Sequence, residues 1–174
     1  MVLYQVLPEA VHQEVTFYDF LAHIEQAQIS MPTMPLGKLN HDYRTVRDIG
    51  GDWRHSLATF PPAEVRYSLT LPQRPVLRFA IGRMYPPCNS TGSFQIWIET
   101  VGGERIEVYR RDLRAGNTTQ SIGWYEEEID LARFANEAVY VVFKSEYAGP
   151  RDCDWFVWAD PILAIAPESS KIEP

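Results

Sequence analysis

The chain has 174 residues, 45% apolar and 22% charged, with a formal net charge of −7. That composition excludes a disordered polymer, and the length suits one domain with a substantial core. The acidic balance excludes a nucleic-acid partner, because Asp112 and nearby glutamates dilute the short basic run of Arg110, Arg111 and Arg114.

Near the N-terminus, Phe17, Phe20, Leu21, Ile24 and Ala27 recur at helical spacing, with Thr16 placed to cap and Asp19 three residues on. One α-helix is therefore predicted over 17–27, ended by Met31-Pro32 and Met34-Pro35. From Pro32 to Trp53 the chain reads as irregular, with Gly50-Gly51 as a further break. After Pro61-Pro62 the period changes to two. Val65, Tyr67, Leu69 and Leu71 alternate with Arg66, Ser68 and Thr70, which predicts a strand with one wet face. Val76 to Ile81 is a second strand, and Phe94, Ile96 and Ile98 alternate with Gln95, Trp97 and Glu99 in a third.

Gly102-Gly103 turns that third strand into Arg105 to Arg110. Pairing Thr100 with Glu104 sets Ile98 against Ile106 and Ile96 against Val108 on the core face. The outer face then pairs Glu99 with Arg105, Trp97 with Glu107 and Gln95 with Tyr109. Ser121 to Ile129 is another strand, Asp130 caps a short helical turn, and Asn136 suits its left-handed exit. Val139 to Phe143 is apolar on both faces and reads as a central strand. Trp155 to Ala159 stops at Asp160-Pro161 and resumes at Ile162 to Ile165. The predicted fold is all-β, an antiparallel two-sheet β-sandwich with one N-terminal α-helix. It forms a single domain over 1–166, followed by a polar tail over 167–174. Its expected core includes Leu69, Phe79, Ile96, Ile98, Val108, Val141, Phe143 and Val157, with Trp124, Trp155 and Trp158 as further core aromatics.

The C-terminal half carries a resemblance. Trp124, Ile129-Asp130-Leu131, Phe134-Ala135, Val139 to Phe143 and Asp154 to Pro161 resemble the W…V-D-L-S-x-Y-A-G…V-x-L-x-F…D-x-A-x-W-G-D-P pattern of bacterial galactose-binding-domain-like jelly rolls. Phe60 to Val65 is similar to their h-P-P-S-x-V strand. Ala132, Asn136 and Ala159 depart from the pattern, all at turns. The resemblance spans Phe60 to Leu163 and implies a jelly-roll module of the carbohydrate-binding type. Such modules are non-catalytic glycan-binding or accessory domains attached to carbohydrate-active enzymes or glycosyltransferases. The alternative is a protein-interaction or assembly module with no sugar ligand. The resemblance transfers no ligand residue, because its members bind different ligands through different loops.

Two further expectations depend on that likeness. Jelly rolls of this type often carry a structural Ca²⁺, and no other cofactor is expected. Cys88 and Cys153 each precede a strand, at ends that share one edge in such a jelly roll, which implies a disulfide; otherwise they are unrelated thiols. No apolar run approaches the roughly 20 residues of a membrane span. Met1 to Pro8 lack the regions of a secretory signal. In a longer parent chain, an extracytoplasmic location would be expected.

No nucleotide-binding, nucleophile-elbow or zinc-protease motif is present, so no catalytic residue and no enzyme activity are expected. His12, His23, His41 and His55 are scattered, and Asp152, Asp154 and Asp160 read as turn-holding residues around the last strand. The sharper feature is Trp97. Alternation places it outside the core with Tyr109, Gln95, Glu99, Arg105 and Glu107. An indole flanked by amide, carboxylate and guanidinium suits a sugar, whose C–H face stacks while its hydroxyls bond the rim. The competing expectation is that Trp97 is covered by the N-terminal helix or the 32–53 segment.

Overall fold

The computed structural model describes residues 15–32, 43–83, 91–113, 123–147 and 156–167. Cys88, Cys153, Asp152, Asp154, Trp155, His12, His41 and the tail after Pro167 lie outside them. Eleven strands run through the described residues: β1 (Val15–Asp19), β2 (Gln28–Ser30), β3 (Arg44–Ile49), β4 (Asp52–Thr59), β5 (Ala63–Thr70), β6 (Pro75–Arg83), β7 (Gly92–Thr100), β8 (Arg105–Leu113), β9 (Tyr125–Asp130), β10 (Ala138–Tyr147) and β11 (Phe156–Ile165). Sheet A has the order β3-β4-β11-β6-β9, with β1 also on β11; sheet B has the order β2-β5-β10-β7-β8. Every pairing is antiparallel, so the expected two-sheet sandwich is the observed fold.

The N-terminal helix is not formed. Residues 17–27 are divided among β1, a turn and a single 3-10 turn at Ile24–Gln26. Two interactions outcompete the helix. The backbone of β1 pairs with β11, from Val15 opposite Ile165 to Asp19 opposite Ile162. The Asp19 carboxylate then accepts the N–H groups of Leu21 and Ala22 at 2.9 and 3.0 Å, which turns the chain instead of propagating a helix. Phe20, Leu21 and Ile24 are buried all the same, so the apolar spacing reports burial through a turn. The 32–53 segment also differs from expectation, because β3 and the start of β4 lie in it and form a hairpin. Gly50 and Gly51 supply its two positive φ angles of 69° and 87°, and Asp48 Oδ1 accepts the Gly51 N–H at 2.8 Å.

An aromatic cluster joins the sheets. Trp158, fully buried on β11, lies 4.9 Å from Phe94 and 5.2 Å from Phe143 in near-perpendicular ring contacts, and 5.6 Å from Phe79. Phe20 extends the cluster to Phe143 and Tyr67. Phe79, Ile96, Ile98, Val141 and Phe143 are buried as expected, while Leu69 and Val108 are only partly covered. Val157 is buried on the opposite face of sheet A, with Ile49 and Ala58 beneath Trp124. Trp124 therefore covers an outer cluster rather than the central core.

β11 is interrupted by a bulge. Ala159 pairs with Ala80 and Ile162 with Arg78, so Asp160 and Pro161 together face the single residue Phe79. Asp160 takes a φ of +45°, and the Pro161 carbonyl accepts the Phe20 N–H at 3.1 Å.

Trp158→Ala is expected to destabilise the fold by about 3–5 kcal/mol in chemical denaturation, as large aromatic truncations in cores do. Gly92→Ala is expected to lower Tm markedly, because a Cβ there would run into the Phe156 ring. An unchanged Tm would mean that β7 and β11 are not packed as described.

Candidate functional site

The β7–β8 hairpin keeps the expected register near its turn. Thr100 N–H bonds Glu104 O at 2.9 Å, and Glu99 faces Arg105, Ile98 faces Ile106 and Trp97 faces Glu107. The register then shifts, with Ile96 opposite Tyr109 and Gln95 opposite Arg110. Val108 is the extra residue of a bulge, and everything after it on β8 changes face. Tyr109 is therefore not on the outer surface. Its ring packs edge-on to Phe79 at 5.1 Å between the sheets, and Arg111 beside it pairs with Glu127 of β9. Burial pushes the Tyr109 hydroxyl well above the usual phenol range, reinforced by Glu127. The bulge buries the tyrosine ring and places Arg110 outside in its stead. The adjacent apolar pair Val108-Tyr109, followed by Leu113, is the sequence sign of this phase change.

The other five predicted residues share the outer face of sheet B. Trp97 is half-buried. Its neighbour below is Val142 of β10, its direct partner across the ladder and fully buried although it points outward. A closed circuit of polar contacts surrounds the pair. Trp97 Nε1 donates to Gln95 Oε1 at 3.0 Å, and Gln95 Nε2 donates to Glu146 Oε2 at 2.7 Å and Ser93 Oγ at 2.8 Å. Glu146 meets Lys144 Nζ at 2.7 Å, and Lys144 reaches Glu64 at 3.7 Å. Arg105 bonds Glu64 at 2.8 Å and Glu99 at 3.2 Å, and Glu99 bonds Arg66 at 2.6 Å. Glu107 stands across from Trp97 and is held by Arg110 at 3.0 Å.

Both aromatic rings of this face carry a guanidinium. Arg105 lies 5.1 Å from the Trp97 centroid and Arg66 lies 3.5 Å from that of Tyr140. Glu99 binds both arginines and so spaces the two stacks. Gln95 is fully buried and fixed by three partners, which holds the indole N–H in place. Sequence reasoning missed Tyr140, Arg66, Glu64, Lys144 and Glu146. Their signal is the outward half of the alternation in β5 and β10, two strands read mainly for their core. It also missed Trp53, which is 68% exposed on the β3–β4 hairpin with the exposed Val46 nearby. Asp160 lies on the opposite sheet. Among the described residues no group of three His, Cys, Asp or Glu side chains converges on a metal position.

No family model matches the chain, and no curated protein is similar to it in sequence. Solved structures are similar to it in backbone. Over 79% of the chain it resembles the structure of CBM51-2 in complex with GlcNAc and INT domains from Clostridium perfringens ZmpB, with a TM-score of 0.51 and 12% identity. The chain spans only 29% of that structure. Over 88% of the chain it resembles the K3 cleaved adhesin domain of Lys-gingipain from Porphyromonas gingivalis, spanning 100% of it, with a TM-score of 0.53 and 14% identity. Over 91% it resembles the C-terminal family 22 carbohydrate-binding module of Clostridium thermocellum Xyn10B, spanning 98% of it, with a TM-score of 0.50 and 13% identity. At these identities the likeness is one of fold, the antiparallel two-sheet β-sandwich.

The polar circuit has a pH signature. Lys144 above all, then Gln95, holds the Glu146 carboxyl below the usual carboxylate range. A depressed folded value stabilises the protein above the ordinary glutamate pKa, and that stabilisation is lost as pH falls through the folded value. Glu146→Gln should therefore show a shallower fall of Tm than the wild-type chain below about pH 5, measured by thermal melts across pH. Parallel acid limbs would mean that Glu146 is not engaged.

Proposed function

We propose that the chain is a non-catalytic glycan-binding module whose ligand lies along the outer face of sheet B. The observation that carries this reading is the apolar patch of the partly exposed Trp97 indole, bordered by fixed hydrogen-bonding groups. A sugar ring has apolar C–H faces and a polar rim, and this patch has the matching layout. The neighbours from Clostridium perfringens and Clostridium thermocellum support it, since the first is CBM51-2 in complex with GlcNAc and the second is a family 22 carbohydrate-binding module. Attachment to a carbohydrate-active enzyme is part of the same proposal.

In this reading Trp97 is the stacking platform and Arg105 its cover in the free state. Binding swings Arg105 off the indole, and its guanidinium then bonds ligand hydroxyls while Glu99 keeps it close. Gln95 needs no rearrangement, because its partners already fix it. Glu107 and Arg110 border the patch on the β8 side.

Titration calorimetry and affinity electrophoresis against soluble xylans, β-glucans, galactans, chitin oligosaccharides and peptidoglycan fragments test the proposal. At least one of these ligands is expected to bind, and Trp97→Ala should weaken it roughly tenfold or more, the equivalent of about 1.4 kcal/mol. Glu107→Ala, at the border of the patch and engaged by Arg110, should change affinity by less. Binding that survives Trp97→Ala unchanged would remove the site from this face.

A further inference from the structure

Two aromatic side chains stand on the outer face of sheet B, and the reading above uses only one of them. Trp97 faces Val142 across the β7–β10 ladder, and Tyr140 faces Glu99 two positions along. Trp97 and Tyr140 are therefore diagonal neighbours on one face, their backbone positions roughly 7–8 Å apart by the geometry of antiparallel pairs. Both are partly exposed. One sugar ring cannot stack on both side chains, whereas consecutive units of one glycan chain can.

Each ring is capped in the same way. Arg105 lies over Trp97 and Arg66 over Tyr140, and Glu99 bonds the two guanidiniums at 3.2 and 2.6 Å. Arg66 is the less completely bonded cap, because its Nε–H is buried without an acceptor among the described residues. Moving it off the ring breaks no hydrogen bond at that atom and frees a donor that burial leaves unmet. Beyond Tyr140 the face is low and open. Ser68, directly opposite it on β5, and Ala138, two residues before it on β10, are both exposed.

The charges of this face are already matched. Arg66 is held by Glu99, Arg105 by Glu64, Lys144 by Glu146 and Arg110 by Glu107. A uronate or sulfate group would bring its charge against these carboxylates, with every one of those cations already paired. A neutral sugar suits such a surface better, because each of its hydroxyls can both donate to a carboxylate and accept from a guanidinium.

We propose that the ligand of sheet B is a chain of neutral sugars, one unit stacking on Trp97 and the next on Tyr140, so that the site reads at least two consecutive units. The proposal rests on the glycan-binding reading above and adds to it the second ring, the length and the charge class of the ligand. On binding, Arg66 leaves the Tyr140 ring while Glu99 retains its guanidinium. The freed Nε–H then bonds a hydroxyl of the second unit, and Ser68 borders that position.

The test is titration calorimetry of the full chain with xylose, glucose, galactose and GlcNAc and with their β-linked di-, tri- and tetrasaccharides. Galacturonate oligomers of the same lengths are titrated alongside. At least one neutral series is expected to gain roughly tenfold or more in affinity from one unit to two or three. Tyr140→Ala should remove that gain, Tyr140→Phe should keep most of it, and Trp97→Ala should weaken binding at every length. In the wild-type chain, NMR signals of the Tyr140 ring should move with the disaccharide but not with the monosaccharide, which reads the second position without a variant. Affinity that does not grow with length, or a full gain in Tyr140→Ala, would overturn the proposal. The sheet B reading would then stand as long as Trp97→Ala still weakens binding. Binding that survives Trp97→Ala at every length removes that reading and the second position with it, as does a chain that binds none of the series. Galacturonate oligomers held as tightly as the neutral ones would sink the neutral class.

Discussion

Both sheets close on Trp158. Its indole is edge-on to Phe94 and Phe143 of sheet B while its own strand lies at the centre of sheet A. Side chains alternate along a strand, so the burial of this one ring fixes the direction of its neighbours. Val157 must point outward, which requires the cover provided by Ile49, Ala58 and Trp124. Ala159 must point outward as well, where its small size leaves a hollow beside Ala80. A core contact thus determines the relief of the opposite surface.

Alternation alone would turn Leu163 away from the core four residues later. The Asp160–Pro161 bulge corrects this by placing two residues opposite Phe79, after which Leu163 is again fully buried. The β8 bulge at Val108 does the same for Tyr109, which gains Phe79 as its packing partner. The two irregularities converge on one phenylalanine from opposite sheets. Each keeps an apolar residue inside at the expense of a regular ladder, and each leaves a charged side chain, Asp160 or Arg110, on an outer face.

The strands from β5 onward were legible because each buries one face and shows the other to water, as Val65, Tyr67 and Leu69 against Arg66 and Ser68 illustrate. The N-terminal third was not. Phe20, Leu21 and Ile24 occupy helical spacing, but the pairing of β1 with a strand some 150 positions later in the sequence decided their backbone, and no local signal carries that information. The β3–β4 hairpin was hidden because its outer half, from Val46 to Trp53, buries only Ile49 and shows no apolar period. For the surface on sheet B, residues on β7 could be placed from alternation, whereas Tyr109 could not, since a single inserted residue inverts the face. Glu64, Lys144 and Arg66 meet Trp97 and its partners only through sheet order, which the sequence does not state.

The position of β11 also bears on how the chain acquires its fold. It is the last strand of the described sandwich, yet it lies between β4 and β6 and also pairs with β1. During synthesis every other strand emerges first, and until β11 arrives sheet A exists only as two separate hairpin-like halves with open inner edges. Unpaired edges next to apolar faces invite pairing with other chains. A nascent or truncated chain lacking β11 would therefore present a sticky, half-built sheet, and its release from that state depends on the final strand threading between two preformed neighbours.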